Sequence, residues 1–356
     1  MKNIHLYFKR VFKHIVIWTF AFAFFTILRE YGQVVKDGLS ERLTLLEHIQ
    51  FQVLTGLIAG ILFGSYAYVI DRFMSRRFSF GRTVLISSLG YVVVILSLIF
   101  LSFTMVSNLI DTSMGKEDLK QFFESGNHRV LIIFCFVIGF LIEFVQEIDR
   151  KFGPGNLWRM LKGTYYHPIQ EERVLMFLDM RSSTTIAEQL GHMKYSRLVQ
   201  DCFKDISVIA DHQGQVYQYV GDEAVLTWKG QTAFNNNNCV NAYYAFCDRL
   251  EARKEYYISN YGLLPEFKAG MNVGMVMTAE VGEIKREIAF HGDTINTAAR
   301  IQGKCNELGS DFLASRLVID RLADDGSIEM NSVGELELKG KNTRVEILAI
   351  ERIEGN

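Results

Sequence analysis

Four apolar runs in the first 143 residues leave the N-terminal part of the chain few ways to fold. They cover Ile15 to Leu28, Ile49 to Ile70, Thr83 to Ile110, and Val130 onward to the first charge at Glu143. A helix that crosses a bilayer needs about 20 mainly apolar residues, within a range of roughly 17–25. The second and third runs reach that length. The first and fourth reach it when Phe12, His14, Phe144 and Val145 are drawn in, with Lys13 snorkelling to the interface. The loop from Asp71 to Arg82 holds Arg72, Arg76, Arg77 and Arg82 against one acid, which assigns it to the cytoplasm. Lys2, Lys9, Arg10 and Lys13 make the N-terminus basic as well. The expectation is a four-span α-helical membrane bundle over 1–143, multi-pass in an inner or plasma membrane, with the N-terminus and the C-terminal domain cytoplasmic. A buried all-helical soluble domain is the alternative.

Gly56, Gly60 and Gly64 repeat every four residues, a small-residue stripe that lets two helices approach closely. It serves either a dimer seam or packing within one bundle. Glu143 is the main ionisable residue inside the spans. Transporters and channels place charge along their pathway, so neither class is favoured.

The hydrophobic fraction of 49 % and the mean hydropathy of +0.11 are high, and the excess lies before Gly153. A formal charge of −2 gives no sign of a nucleic-acid partner. The five cysteines (Cys135, Cys202, Cys239, Cys247, Cys305) form no CxxC pair and read as reduced. No small-residue cleavage site follows the first apolar run. From 144 to 170 the fourth helix continues, breaks at Gly153-Pro154-Gly155, and gives way to a linker that either transmits or merely spaces.

From 171 to 356 the pattern is that of an α+β domain. A strand over Arg173–Leu178 precedes a helix over Thr184–Gln213 and a hairpin over Gln215–Lys229. A second helix over Asn238–Asn260 follows, then an alternating strand over Phe267–Val273 and the segment Gly274–Val281. Then come a strand over Glu287–Phe290, a helix over Thr294–Leu308, and a strand–helix–strand tail ending at Ile350. The order β-α-β-β-α-β predicts a ferredoxin-like sheet with helices on one face.

Within it, the apolar run Val174 to Leu178 stops at Asp179, and two short strands meet at Gly221-Asp222. Two carboxylates at neighbouring strand ends can share Mg²⁺ or Mn²⁺. The backbone from Met180 through Arg181, Ser182, Ser183 and Thr184 opens a helix N-terminus, which attracts phosphate. Metal-assisted chemistry on a nucleoside triphosphate is the implied reaction type. Each motif also has a bland reading: a strand-end Asp is often a cap, and Gly-Asp a common turn. Glu223 sits beside Asp222, and strand alternation is expected to turn it to the opposite face. His192, His212 and His291 have no ligand spacing.

Phe177-Leu-Asp-Met-Arg-Ser-Ser, Gly221-Asp222, Asn272-Val-Gly274 and Gly292-Asp-Thr-Ile-Asn-Thr-Ala-Ala-Arg300 together resemble the catalytic domain of the class III nucleotidyl (adenylate and guanylate) cyclases. The resemblance implies that Asp179 and Asp222 bind two divalent cations, Mg²⁺ or Mn²⁺. It implies that Asn296 orients the ribose, that Arg300 stabilises the transferring phosphorus, and that Lys339, with Lys341 as competitor, contacts the terminal phosphates. It also implies a homodimer, because the metal pair and the Asn/Arg pair come from different subunits. Arg181 either touches phosphate or forms a surface pair. The base-reading positions depart from the family: Gln218 stands where adenylate enzymes carry Lys, and Ala289 where they carry Asp, Thr or Ser. The guanylate pair is absent too. ATP is the expected substrate. The alternatives are a guanylate or other nucleotide cyclase, or an inactive nucleotide-binding membrane sensor.

Overall fold

The computed structural model describes residues 2–32, 45–74, 79–109, 127–153, 155–337 and 344–353. These divide into two compact units, Met1–Phe152 and Gly153–Asn356.

The first unit is helical: α1 (Lys2–Gly32), α2 (Leu45–Met74), α3 (Phe80–Leu109) and α4 (Asn127–Phe152). Each contains a stretch long and apolar enough to cross a membrane: Arg10–Leu28, Val53–Ile70, Phe80–Phe100 and Arg129–Lys151. The glycine stripe is used inside the chain. A Cβ at Gly56, Gly60 or Gly64 would lie 2.5, 2.4 or 2.7 Å from the α1 backbone at Thr19, Ile15 or Val11. Backbones this close gain dispersion contacts that a side chain would forbid.

The bundle interior is more polar than the sequence suggests. Tyr91 of α3 is fully buried and its hydroxyl donates to Glu143 Oε1 of α4 at 2.7 Å. Its ring also meets His14 and Trp18 of α1 (centroids 6.1 and 5.7 Å) and Phe63 and Tyr66 of α2 (5.2 and 5.4 Å). One side chain of α3 therefore touches the three other helices. His14, read from the sequence as a flanking residue, is completely buried, and among the described residues neither ring nitrogen has a hydrogen-bond partner. Tyr91→Phe should lower the stability of the bundle by roughly 0.6–2 kcal/mol, the range for a polar contact between membrane helices. Thermal unfolding in detergent checks this, and an unchanged midpoint would show the bond carries no stability.

The second unit opens with the short α5 (Asn156–Leu161) and is built on one sheet. Its elements are β1 (Ile169–Met180), α6 (Ser183–Leu190), α7 (His192–Asp205), β2 (Gln215–Val220), β3 (Glu223–Lys229), α8 (Asn238–Glu251), α9 (Lys254–Tyr261), β4 (Phe267–Val281), β5 (Glu287–His291), α10 (Asp293–Gly303), α11 (Cys305–Leu308), β6 (Phe312–Ser315), α12 (Arg316–Ile319), β7 (Ile328–Glu337) and β8 (Arg344–Arg352). The strand order is β2-β3-β1-β4-β6-β8-β7, with β5 paired to β4. Its β2-β3-β1-β4 part is the antiparallel ferredoxin-like core that the element order predicts. The helix expected over Thr184–Gln213 is broken at Gly191, which adopts φ 71°, and ends in a 3₁₀ segment over Ile206–His212.

Helices cover both faces, where one was expected. Val174, Met176, Leu178 and Met180 of β1 pack with Leu198 and Cys202 of α7 and with Val240, Tyr243 and Phe246 of α8. The alternate residues Leu175 and Phe177 pack with Val225, Val276, Phe290 and Ala298 of α10 on the other face. Period-2 alternation sends successive side chains to opposite faces, and here both sets are apolar. On the first face Asp205 accepts hydrogen bonds from Arg249 and from Tyr257 (3.1 and 2.7 Å), which pins α7 to α8 and α9.

On the second face α10 lies directly on β4. A Cβ at Gly270 would meet the Gln302 backbone nitrogen at 2.1 Å and its Cα at 2.4 Å. The start of α10 is fastened by Asn272, whose Nδ2 donates to Thr294 O at 3.1 Å and whose Oδ1 accepts from Ser315 at 2.7 Å. That accounts for Asn272 in the sequence motif: it is a buried clamp.

Candidate active site

Asp179 is the last residue but one of β1. It stands in register between Glu223 of β3 and Lys268 of β4. Directly opposed residues of an antiparallel pair share a face, so all three turn toward the α10 side. Asp179 Oδ2 accepts the Gln302 amide at 3.0 Å and lies 3.3 Å from Lys268 Nζ. The close seating of α10 on Gly270 is what brings Gln302 within reach.

Asp222 follows Gly221 in the β2–β3 turn, where Gly221 takes φ 63°. Its Oδ2 is buried and has no hydrogen-bond partner among the described residues. A carboxylate oxygen left bare costs free energy, and a divalent cation is a fitting occupant. Among the described residues no group of three or more His, Cys, Asp or Glu stands ready to hold a metal. Magnesium is commonly held by one or two carboxylates plus substrate phosphates, and this donor set fits that mode.

The expectation for Glu223 is corrected. It faces Asp179 because Asp222 belongs to the turn rather than to a strand, so alternation counted from Asp222 does not apply. Burial, then the Asp179 and Asp222 charges, push its carboxyl up to about 7. Tyr195 of α7, seen in the sequence only as part of a helical pattern, lies close enough to Asp222 and Asp179 to feel their charges. Burial and then the Asp222 carboxylate raise its phenol above the ordinary value.

Within the stretch expected to meet phosphate, Met180 to Thr184, the residues differ in what already engages them. The Met180 side chain is buried in the core. The Arg181 amide donates to Glu266 O at 2.8 Å and its guanidinium pairs with Asp311. Ser182 takes a left-handed conformation (φ 53°) and starts α6. The first helical bond is Ile186 N–H to Ser182 O at 3.0 Å, so the amides of Ser183, Thr184 and Thr185 precede the helical ladder. Lys339 and Lys341 lie outside the described residues.

Asn296 and Arg300 share one exposed face of α10, one turn apart. The opposite face, with Thr297, Ala298, Ile301 and Gln302, is buried. A single chain therefore turns the Asn/Arg pair away from the sheet that carries Asp179. Gln218 is exposed on β2, and Ala289 is buried on β5 opposite Ala279. Their neighbours join the two strands: Tyr217 stacks on Phe290 at 4.4 Å, and the Phe290 amide donates to Tyr217 Oη at 3.1 Å. Tyr217 sits where the β2–β3 register shifts, an irregularity that strand periodicity does not announce.

Residues 165–351 match the family model described as the adenylate and guanylate cyclase catalytic domain. The chain is 30 % identical over 210 residues to Adenylate cyclase 2 of Rhizobium meliloti (strain 1021), an alignment that covers 59 % of this chain and 58 % of that protein. It is 27 % identical over 249 residues to Adenylate cyclase 1 of the same organism, covering 68 % of this chain and 35 % of that one. Guanylyl cyclase C of Rattus norvegicus is 26 % identical over 185 residues, covering 51 % and 17 %. The chain thus spans less than two thirds of the length of each of these relatives. The solved structure of a bacterial light-regulated adenylyl cyclase shares the fold, with a TM-score of 0.51 and 17 % identity over 62 % of this chain and 65 % of that one. With more than half of its residues inside the matched stretch, the chain belongs to the adenylate and guanylate cyclase catalytic-domain family.

Proposed function

We propose that the protein is a membrane-anchored nucleotidyl cyclase that converts ATP to 3′,5′-cyclic AMP and pyrophosphate at a site shared by two copies of the chain. The observation that carries this reading is the split of the site. Asp179 and Asp222 lie on the sheet, while Asn296 and Arg300 are exposed on the outer side of α10. A second copy, related by a two-fold axis, supplies the missing half to each. The four apolar helices support a membrane anchor, and the basic Asp71–Arg82 loop supports a cytoplasmic catalytic unit.

In the reaction the ribose 3′-oxygen forms a bond to the α-phosphorus, the bond from that phosphorus to the β-phosphate oxygen breaks, and the 3′-hydroxyl proton leaves to solvent. Asp179 and Asp222 would hold Mg²⁺ or Mn²⁺, which would lower the hydroxyl pKa and neutralise phosphate charge. Arg300 presents a rigid guanidinium fork to the oxygens of the transferring phosphorus, and Asn296 orients the ribose. The Ser183–Thr185 amides at the start of α6 would be available to phosphate oxygens.

ATP is favoured because two relatives carry adenylate cyclase names. Gln218 both donates and accepts hydrogen bonds, so it accommodates either purine. Buried, apolar Ala289 supports a second reading, nucleotide binding without turnover. The deciding test is product analysis of purified full-length protein in detergent with ATP, GTP, CTP and UTP, each with Mn²⁺ and with Mg²⁺. Cyclic AMP as main product is the expected outcome. A different cyclic nucleotide overturns the base assignment, and bound nucleotide with no product selects the second reading.

A further inference from the structure

Asp179 Oδ2 has two protein partners of different kinds. Gln302 offers a neutral amide donor from the buried side of α10, at 3.0 Å. Lys268 offers a full positive charge from the adjacent strand, at 3.3 Å, with only 12 % of its side chain exposed. Lys268 and Glu223 flank Asp179 on its two sides in register, and Asp222 lies close enough for its charge to be felt at Glu223. Three carboxyl groups and one cation thus share a small volume. A partly buried lysine among acids neutralises them, and it also stands where a metal ion would feel its charge.

We propose that Lys268 is a built-in cation that holds Asp179 in the metal-free chain and competes with the divalent ion, while Gln302 positions the Asp179 carboxylate to receive it. This rests on the reading of Asp179 as a metal ligand. The two residues then act in opposite directions on one equilibrium. Like charges repel more strongly in a partly buried site than in water, so Lys268 weakens metal binding. A neutral donor to a ligating carboxylate fixes its orientation without opposing the ion, and loss of such partners commonly weakens metal affinity about 10–100-fold. Gln302 is a positioning residue, acting through Asp179. Lys268 keeps three acids from repelling one another until the ion arrives.

The test is Mn²⁺ binding to nucleotide-free, full-length protein in detergent, read from the electron paramagnetic resonance signal of free Mn²⁺ and independent of turnover. Asp179→Asn identifies which binding belongs to this site. Lys268→Gln should tighten that binding about tenfold, and Lys268→Arg, which keeps the charge, should leave it near wild type. Gln302→Met, of similar length but without the donor, should weaken it about tenfold. Thermal unfolding supplies a second readout: Mn²⁺ should stabilise Lys268→Gln more than wild type, because the three acids there lack their internal cation. Equal or weaker binding by Lys268→Gln overturns the competition, and unchanged binding by Gln302→Met overturns the positioning. Both arms leave the metal reading standing, provided Asp179→Asn loses the site. If Asp179→Asn binds Mn²⁺ like wild type, the metal reading fails and this inference with it.

Discussion

Asp179→Asn and Arg300→Ala should each be inactive alone and recover turnover when mixed. Each single variant is expected to lose about 10²–10³-fold or more, the cost of removing one group that stabilises transition-state charge. In a two-fold dimer both sites carry the lesion. In a mixed dimer one site receives both substitutions and the other receives neither. Random exchange of equal amounts makes half the dimers mixed, with one good site of two, so about a quarter of wild-type activity should return. Recovery is expected because α10 turns Arg300 outward while Asp179 stays on the sheet. Two dead variants that stay dead after demonstrated subunit exchange would place both halves of the site within one chain.

Gly270→Ala is expected to have the largest effect on stability. The added Cβ would sit 2.1 Å from the Gln302 nitrogen and 2.4 Å from its Cα. Both are backbone atoms, so no rotamer change relieves the contact. Overpacking of a tight core costs about 1–3 kcal/mol and occasionally more, and a backbone-to-backbone clash belongs at the upper end. Displacing α10 also withdraws Gln302 from Asp179, so Mn²⁺ binding should weaken together with stability. Gly303→Ala is the control. It lies at the end of the same helix, a Cβ there meets nothing within 4 Å, and its φ is not positive. Denaturant unfolding followed through buried Trp228 should separate the two substitutions by several kcal/mol (roughly the sum of a clash and a small helix gain). Equal midpoints would mean that β4 and α10 do not meet as described.

Much of this architecture is legible in the chain. The apolar runs specify four long helices, and the sharp stop at Asp179 and the Gly221-Asp222 turn mark two strand ends at the site. The Asn296–Arg300 spacing specifies one helix face, and the structure leaves that face exposed. What escapes the sequence is what depends on register and on the choice of sheet face. Periodicity says which side of α10 is apolar, but not that it covers the face opposite α7 and α8. The direction of Glu223 is fixed by its pairing with Asp179, and alternation counted from the turn residue Asp222 does not carry it. Lys268 and Gln302 lie 89 and 123 positions from Asp179 along the chain and carry no local signal (268 − 179; 302 − 179). His14 looked like a flanking residue because burial within a bundle depends on the partner helices, which α1 alone does not reveal.

The Tyr91–Glu143 bond has a consequence for how the helical unit can move. Consecutive residues on an α-helix are separated by about 100° of rotation, so a twist of α4 by one residue carries Glu143 away from the Tyr91 hydroxyl. Piston-like sliding by a fraction of an ångström stretches the same 2.7 Å bond much less. The ring of Tyr91 is wedged against Gly139 as well: a Cβ there would lie 2.5 Å from Tyr91 Cδ2. The wedge and the bond together index α4 angularly against α3. The helix tolerates small axial strokes, whereas turning it requires the phenol to let go.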